Sequence, residues 1–517
     1  MNKLHPISNF KTLGCLSIFW LCNFVNIHAQ SGSIDSSFYK KFDTFNTTIQ
    51  QDFTSFRHHN DSLFLQFLTQ SWKEYNAVEN NIPDFPKPVE TPIYKAPVTP
   101  DVPKPDTINQ QQQGLQESSP GQKSDGTEDQ PKSGQLSDDQ VLPLKTEPIP
   151  ESAAFSKMEP MAKLEYYGTD FNIPSVTQGI PVLTTISKEG IVKYFASASV
   201  SSVLNNVAIT LQNEAANYKL NDWGLANLFM KAAQKMYPRH IDQVMFTWFA
   251  LLRSNFNVKT GYNYQNVYLL LPSNEMLYEM SFYVNGRQYY LLNFGTAQAE
   301  PEHLTIHEGN YPASIAGLTF LITQTPELTN RLAKRNLTFN RSLELQLNKN
   351  LIDFYSVYPR CELKVFFKAP LSANAINQLD SFFLPALENK KDDDDRVAIL
   401  LRFVQDAIPY KTDKQQFGHE KYLFADETLY YPAADCEDRA VLLAKLINRY
   451  TSCKAIGLIY PTHVSLAVNL TSLHDGKFLT YKNLKYFHCD PTYLGAACGI
   501  PMPGYENAVP KIIDYDM

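Results

Sequence analysis

The sequence predicts an α+β multidomain chain, and three observations carry that prediction. Apolar residues recur at steps of three and four in some stretches, whereas others are short, β-rich and bounded by turn residues. The length, 517 residues, allows two to four folded units at about 100–200 residues each. A stretch at 82–152, rich in Pro, Gln, Ser, Asp and Lys, separates an aromatic N-terminal segment from the rest.

Composition narrows the function classes. The chain is 44% hydrophobic with a formal net charge of −7, and no Lys/Arg run is dense enough for a phosphate backbone, so no nucleic-acid partner is expected. Seven Cys without a Cys-x-x-Cys exclude a disulfide-built scaffold and a zinc ribbon. No metal site and no cofactor are expected; His419, His474 and His488 with their neighbouring acids do not form a ligand spacing.

Residues 1–29 have the layout of a secretory signal peptide. Lys3 and Lys11 precede an apolar run from Leu13 to Ile27, and the small Ala29 follows. The run is broken by Cys22 and Asn23 and falls short of the roughly 20 apolar residues of a spanning helix. Export is expected, to the periplasm, the cell surface or the medium.

Residues 30–81 form an aromatic amphipathic helical segment. Phe38, Phe42, Phe45, Ile49, Phe53 and Phe56, then Phe64, Phe67, Leu68, Trp72 and Tyr75, fall on one face of a helix or helical hairpin, with a break expected over His58–Ser62. Such a stripe must be covered, either by its own domain or by a partner or second copy through the Phe38–Tyr75 helix. The 82–152 linker cannot bury enough apolar area to offset its ordering entropy. Steps such as Pro86-Lys87-Pro88 and Pro103-Lys104-Pro105 make its first half an extended spacer.

Folded sequence resumes near Met158. Helices are expected over Asp222–Met236 and Ile241–Arg253, then strands over Asn266–Leu271, Met276–Val284 and Arg287–Leu292, with Asn285-Gly286 as a hairpin turn. Residues 301–371 read as a small β-sandwich, with strands at Ala316–Thr323, Ser342–Leu347 and Cys361–Lys368. In 372–517, helices over Ala373–Ala386 and Asp395–Ala407 flank the solvated run Lys390–Asp395.

Candidate chemistry lies in this last unit. Asp435 is suited to N-cap a helix beginning at Cys436, with Asp438 at the third position in a capping-box-like pattern. A thiol at that helix start would feel the positive end of the dipole, which favours the thiolate. His463 opens a downstream strand and Asp490 follows another, so Cys436, His463 and Asp490 make a candidate nucleophile–base–orienter set. The Cys436 N–H would help hold an oxyanion.

Three blocks, Asp435-Cys436-Glu437-Asp438-Arg439-Ala440, Tyr460-Pro461-Thr462-His463 and His488-Cys489-Asp490-Pro491-Thr492, resemble the signature blocks of the transglutaminase-like superfamily. The resemblance spans about Lys390–Met517 and takes in Ile408-Pro409-Tyr410 and Phe417-Gly418. It implies a papain-like fold, with Cys on a helix packed against an antiparallel sheet that carries His and Asp. It also implies acyl transfer through a thioester: peptide or isopeptide hydrolysis, amide hydrolysis, or cross-linking to an amine. Ala434 stands where Gly is common, and Tyr410 and Gln416 are the candidates for completing the oxyanion hole. The helix and strands within 158–300 repeat the order seen after Cys436, which suggests a degenerate transglutaminase-like copy with its nucleophile slot near Ile241.

The sequence thus reads as an exported, cysteine-peptidase-like enzyme acting on a protein or peptide. The alternative is a non-catalytic exported binding or assembly protein that retains a relic triad. After cleavage near Ala29 five Cys remain, an odd number, compatible with a free Cys436 and up to two disulfides or with five free thiols.

Overall fold

The computed structural model describes residues 36–78 except 71, residues 95–96, and residues 161–515 with short breaks at 177–178, 293, 295–298, 313, 315, 391 and 473–474. The expected signal peptide and nearly all of the 82–152 linker lie outside the described residues.

Helix α1 (Ser36–Thr69) is continuous, and strand β1 (Trp72–Asn76) follows it in the chain. The expected break at His58–Ser62 is therefore corrected, and for a physical reason. Asp61 is buried and bonded by both terminal nitrogens of Arg253 and by the Tyr311 hydroxyl, so its carboxylate has no need of a turn. Phe64 and Leu68 are fully buried, Phe64 among Phe195, Trp248, His307 and Tyr311. Trp72 and Tyr75 do not continue the helical face; they lie in β1, which pairs antiparallel with β8 (His303–His307).

The hairpin β2 (Met161–Tyr166) and β3 (Thr169–Pro174) leads into four helices: α2 (Lys188–Val200), α3 (Ser202–Asn217), α4 (Asp222–Met236) and α5 (His240–Arg253). Ser187, Ser201 and Asn221 cap the first three through side-chain oxygens. Helix α5 is buried on nearly every side, with Met245, Phe246, Trp248 and Phe249 fully enclosed. Strands β4 (Lys259–Tyr262), β5 (Val267–Leu271), β6 (Ser281–Val284) and β7 (Arg287–Leu291) follow it. The expected Asn285-Gly286 turn joins β6 and β7, with φ of 50° and 76°, the left-handed pair that a tight hairpin needs. The six-stranded antiparallel sheet has the order β1-β8-β4-β5-β7-β6.

Residues 301–371 are not a sandwich. Beyond β8 the segment Ala316–Thr323 makes only isolated bridges, at Ala316 and Leu318. The one hairpin is β9 (Leu332–Phe339) and β10 (Arg341–Asn348), followed by the short helices α6 (Lys349–Ser356) and α7 (Leu363–Lys368). Leu363, Val365, Phe366 and Phe367 are all buried, a run without strand alternation.

The C-terminal unit has helices α8 (Ala373–Leu387), α9 (Asp393–Ala407), α10 (Asp413–Gln416), α11 (Ala425–Tyr430) and α12 (Cys436–Tyr450). Strands β11 (Ala455–Tyr460), β12 (His463–Val468), β13 (Phe478–Tyr481), β14 (Leu484–Cys489) and β15 (Lys511–Ile513) complete it. Their sheet order is β13-β14-β12-β11-β15, all antiparallel. Reading β4 to β8 against β11 to β15, the two sheets have the same strand order and the same pairings, each preceded by one buried helix, α5 or α12. Among the described residues no helix is long and apolar enough to cross a membrane.

Candidate functional site

Cys436 is the first residue of α12, His463 the first of β12, and Asp490 the first after β14. Register brings the last two together. Cys489 pairs with Leu466, so the chain leaving β14 passes the start of β12. His463 Nε2 and Asp490 Oδ2 are 2.7 Å apart. The other Asp490 oxygen accepts from the N–H groups of Thr492 (2.8 Å) and Tyr493 (3.3 Å). Burial alone would raise this carboxyl, but His463 and the two N–H donors outweigh it and hold it below the usual range. Gln405, from α9, fixes the following loop by donating to the carbonyls of Asp490, Tyr493 and Ala496. His463 Nδ1 is buried and has no hydrogen-bond partner.

The Cys436 sulfur accepts from the backbone N–H of Val464, the residue after His463, and its S–H donates to Glu437 Oε2 at 3.0 Å. The expected thiolate is not favoured in this conformation. Burial, then the Glu437 and Asp435 carboxylates, push the thiol well above its ordinary range, and they outweigh the helix dipole. The three side chains are closed off from solvent: relative exposure is 0% for Cys436, 1% for His463 and 3% for Asp490. The Tyr505 ring lies 5.0 Å from that of His463, and its hydroxyl is 2.8 Å from Thr462 Oγ1.

Asp435 occupies the N-cap position, but no side-chain capping bond forms there. Its Oδ2 accepts from the Asp413 N–H at 3.3 Å, and Asp438 Oδ1 accepts from the Leu423 N–H at 2.7 Å. The expected capping box is thus replaced by contacts to α10 and to the segment before α11. Of the oxyanion-hole candidates, Gln416 donates to the Ala433 carbonyl at 3.0 Å, close to the start of α12, while Tyr410 bridges to Ala434 and its ring faces the Arg439 guanidinium.

Comparison with protein-family models, curated proteins and solved structures gives no match. The site is therefore read from its own chemistry.

Two features escaped the sequence reading. One is which cysteines pair: Cys489 with Cys498, closing the loop after β14 and leaving Cys361, Cys436 and Cys453 free. The other is a set of buried acids. Oxygens of Asp413, Asp435 and Asp438 lie within 4.8 Å of one another, as do those of Asp413, Glu420 and Glu437. Burial pushes Asp413 up to about 7 and raises Asp435, Glu437 and Asp438 well above the usual carboxylate range. Hard carboxylate oxygens at this spacing can hold a cation or share protons. The Asp435-x-Glu437-Asp438 run was a partial signal, but Asp413 stands 22 positions before Asp435 and joins it only through the fold.

Proposed function

We propose that the C-terminal unit is a thiol acyl-transfer enzyme of transglutaminase-like type, exported and most concretely a peptide or isopeptide hydrolase. The observation that carries this reading is the buried His463–Asp490 bond, which leaves Nδ1 without a partner beside the residue whose N–H meets the Cys436 sulfur. In this mechanism Nδ1 takes the thiol proton and the sulfur bonds the substrate carbonyl carbon. The carbon–nitrogen bond then breaks as His463 returns the proton to the leaving amine. Water, deprotonated by the same imidazole, attacks the thioester and releases the acid and the thiol. The Cys436 N–H, at the first helical position, has no intrahelical acceptor and is suited to the oxyanion. Substrate entry requires Tyr505 and its loop to move.

We read the upstream meander as a copy of the same domain without the nucleophile. Val267 and Leu292 stand at the register positions of His463 and Asp490, and α5 begins with His240-Ile241 where α12 begins with Cys436. Val267 precedes the partner of Leu291 by three residues, as His463 precedes the partner of Cys489.

The complete burial of Cys436 favours a second reading, a relic site in a binding protein. Incubation of the full chain with a peptide pool at neutral pH, followed by intact-mass measurement, separates the two. An acyl adduct on Cys436 that hydroxylamine removes, absent in Cys436→Ala, is the expected result. No adduct and no peptide cleavage would leave the relic reading.

A further inference from the structure

We propose that Asp413, Asp435, Glu437 and Asp438, with Glu420 at the edge of the group, form a calcium site that ties α10 to the start of α12. The first support is the state of the oxygens. Asp435 Oδ1, Glu437 Oε1 and Asp438 Oδ2 are buried and accept no hydrogen bond, and their residues are 0%, 0% and 1% exposed. An anionic oxygen removed from water without a donor or counter-ion is strongly unfavourable.

The second support is that, among the described residues, no protein cation forms an ion pair with Asp413, Asp435, Glu437 or Asp438. Lys421, whose charge acts on Asp413 and Asp438, is itself bonded at 2.6 Å to Glu427. Arg439 directs its terminal nitrogens to backbone carbonyls of Pro491, Val404, Gln405 and Ile408.

The third support is the donor chemistry and its dimensions. Every donor is a carboxylate oxygen, which suits a hard cation. The oxygens of each of two triads, which share Asp413, lie within 4.8 Å of one another. Calcium accepts a shell made of protein oxygens alone, whereas magnesium keeps several of its waters. The residues also come from separate elements, so one ion would staple parts of the unit that no disulfide joins.

This inference stands apart from the acyl-transfer reading, because its readouts are binding and stability. The full chain, stripped with EDTA, is titrated with calcium chloride or magnesium chloride, and followed by calorimetry and thermal unfolding. Binding of one calcium per chain is expected, with a Tm increase of about 3 °C at about a hundredfold excess over Kd. Magnesium should give a much smaller shift. Asp438→Asn and Asp413→Asn should each abolish the shift, and both should fold without calcium because they relieve repulsion. Should a variant not fold, calorimetry on the natural chain decides alone. No binding heat and no Tm shift at millimolar calcium, with Tm rising instead as pH falls, would mean that shared protons neutralise the cluster and would overturn the site. A shift retained in both variants would place the ion elsewhere and overturn it equally.

Discussion

A cysteine at a helix start is drawn toward the thiolate by about 0.3–1 kcal/mol of dipole interaction, whereas full burial acts over several pKa units in the opposite sense. Cys436 therefore rests as a thiol bonded to Glu437, and its reactivity depends on His463 becoming its partner. The orienting role of Asp490 gives a residue-level prediction. Asp490→Asn should keep the fold but slow alkylation of Cys436 by about tenfold or more, because the amide no longer favours the tautomer with a basic Nδ1. A rate equal to that of the natural chain would remove Asp490 from the set. Much at this scale was legible beforehand: Cys436, His463 and Asp490 could be read off the sequence because each sits at an element boundary flanked by turn residues. The four-carboxylate group could not, since its members from α10 and α12 meet only through packing, and Asp435 reads locally as an ordinary cap.

At the scale of elements, the loop carrying Tyr505 stands over His463, and Tyr505→Ala should raise the alkylation rate of Cys436 severalfold while leaving the half-buried Cys453 unchanged. An unchanged Cys436 rate would show that another segment controls access. The loop after β8 supplies a second prediction. Lys259, in β4, is buried and donates to the carbonyls of Glu308 and Gly309 and to Asn310 Oδ1, with the Tyr289 ring nearby. Burial, opposed by Glu308 and reinforced by Arg287, brings its pKa down to about 7. The unfolded chain thus binds more protons than the folded one between about pH 7 and pH 10. Stability should rise with pH across that window, by at most about 1.4 kcal/mol per pH unit from this group, and be lowest below pH 7. Denaturant unfolding at several pH values checks this, and Lys259→Met should flatten the slope. Regular elements such as α4, α5, β5 and β7 were legible because periodicity and the Asn285-Gly286 turn agree with their packing. The Cys361–Lys368 run was not, because a short apolar run without alternation suits a buried helix as well as a strand.

Across the whole molecule, the C-terminal part of the long N-terminal helix packs into the fold through Phe64 and Leu68, while Phe56 is exposed. Phe64 fills the space between Phe195, Trp248 and Tyr311, and β1 extends the upstream sheet. Phe64→Ala should cost about 3–5 kcal/mol in denaturant unfolding. A negligible loss would return the aromatic face to the role of a partner surface. The chain then crosses to the C-terminal unit, where the Ala96 N–H bonds the Leu494 carbonyl near the loop that holds Asp490. Two meanders of one strand order thus share a continuous molecule, one bearing the candidate triad and the other without a cysteine. The claim that the triad is chemically competent is tested most directly by limiting iodoacetamide at pH 7.5, with labelled cysteines mapped by mass spectrometry in Tyr505→Ala and in Tyr505→Ala combined with His463→Ala. The account predicts that Cys436 labels faster than Cys453 in the first and loses that advantage in the second. A Cys436 that stays protected in both, or that labels equally without His463, would contradict it.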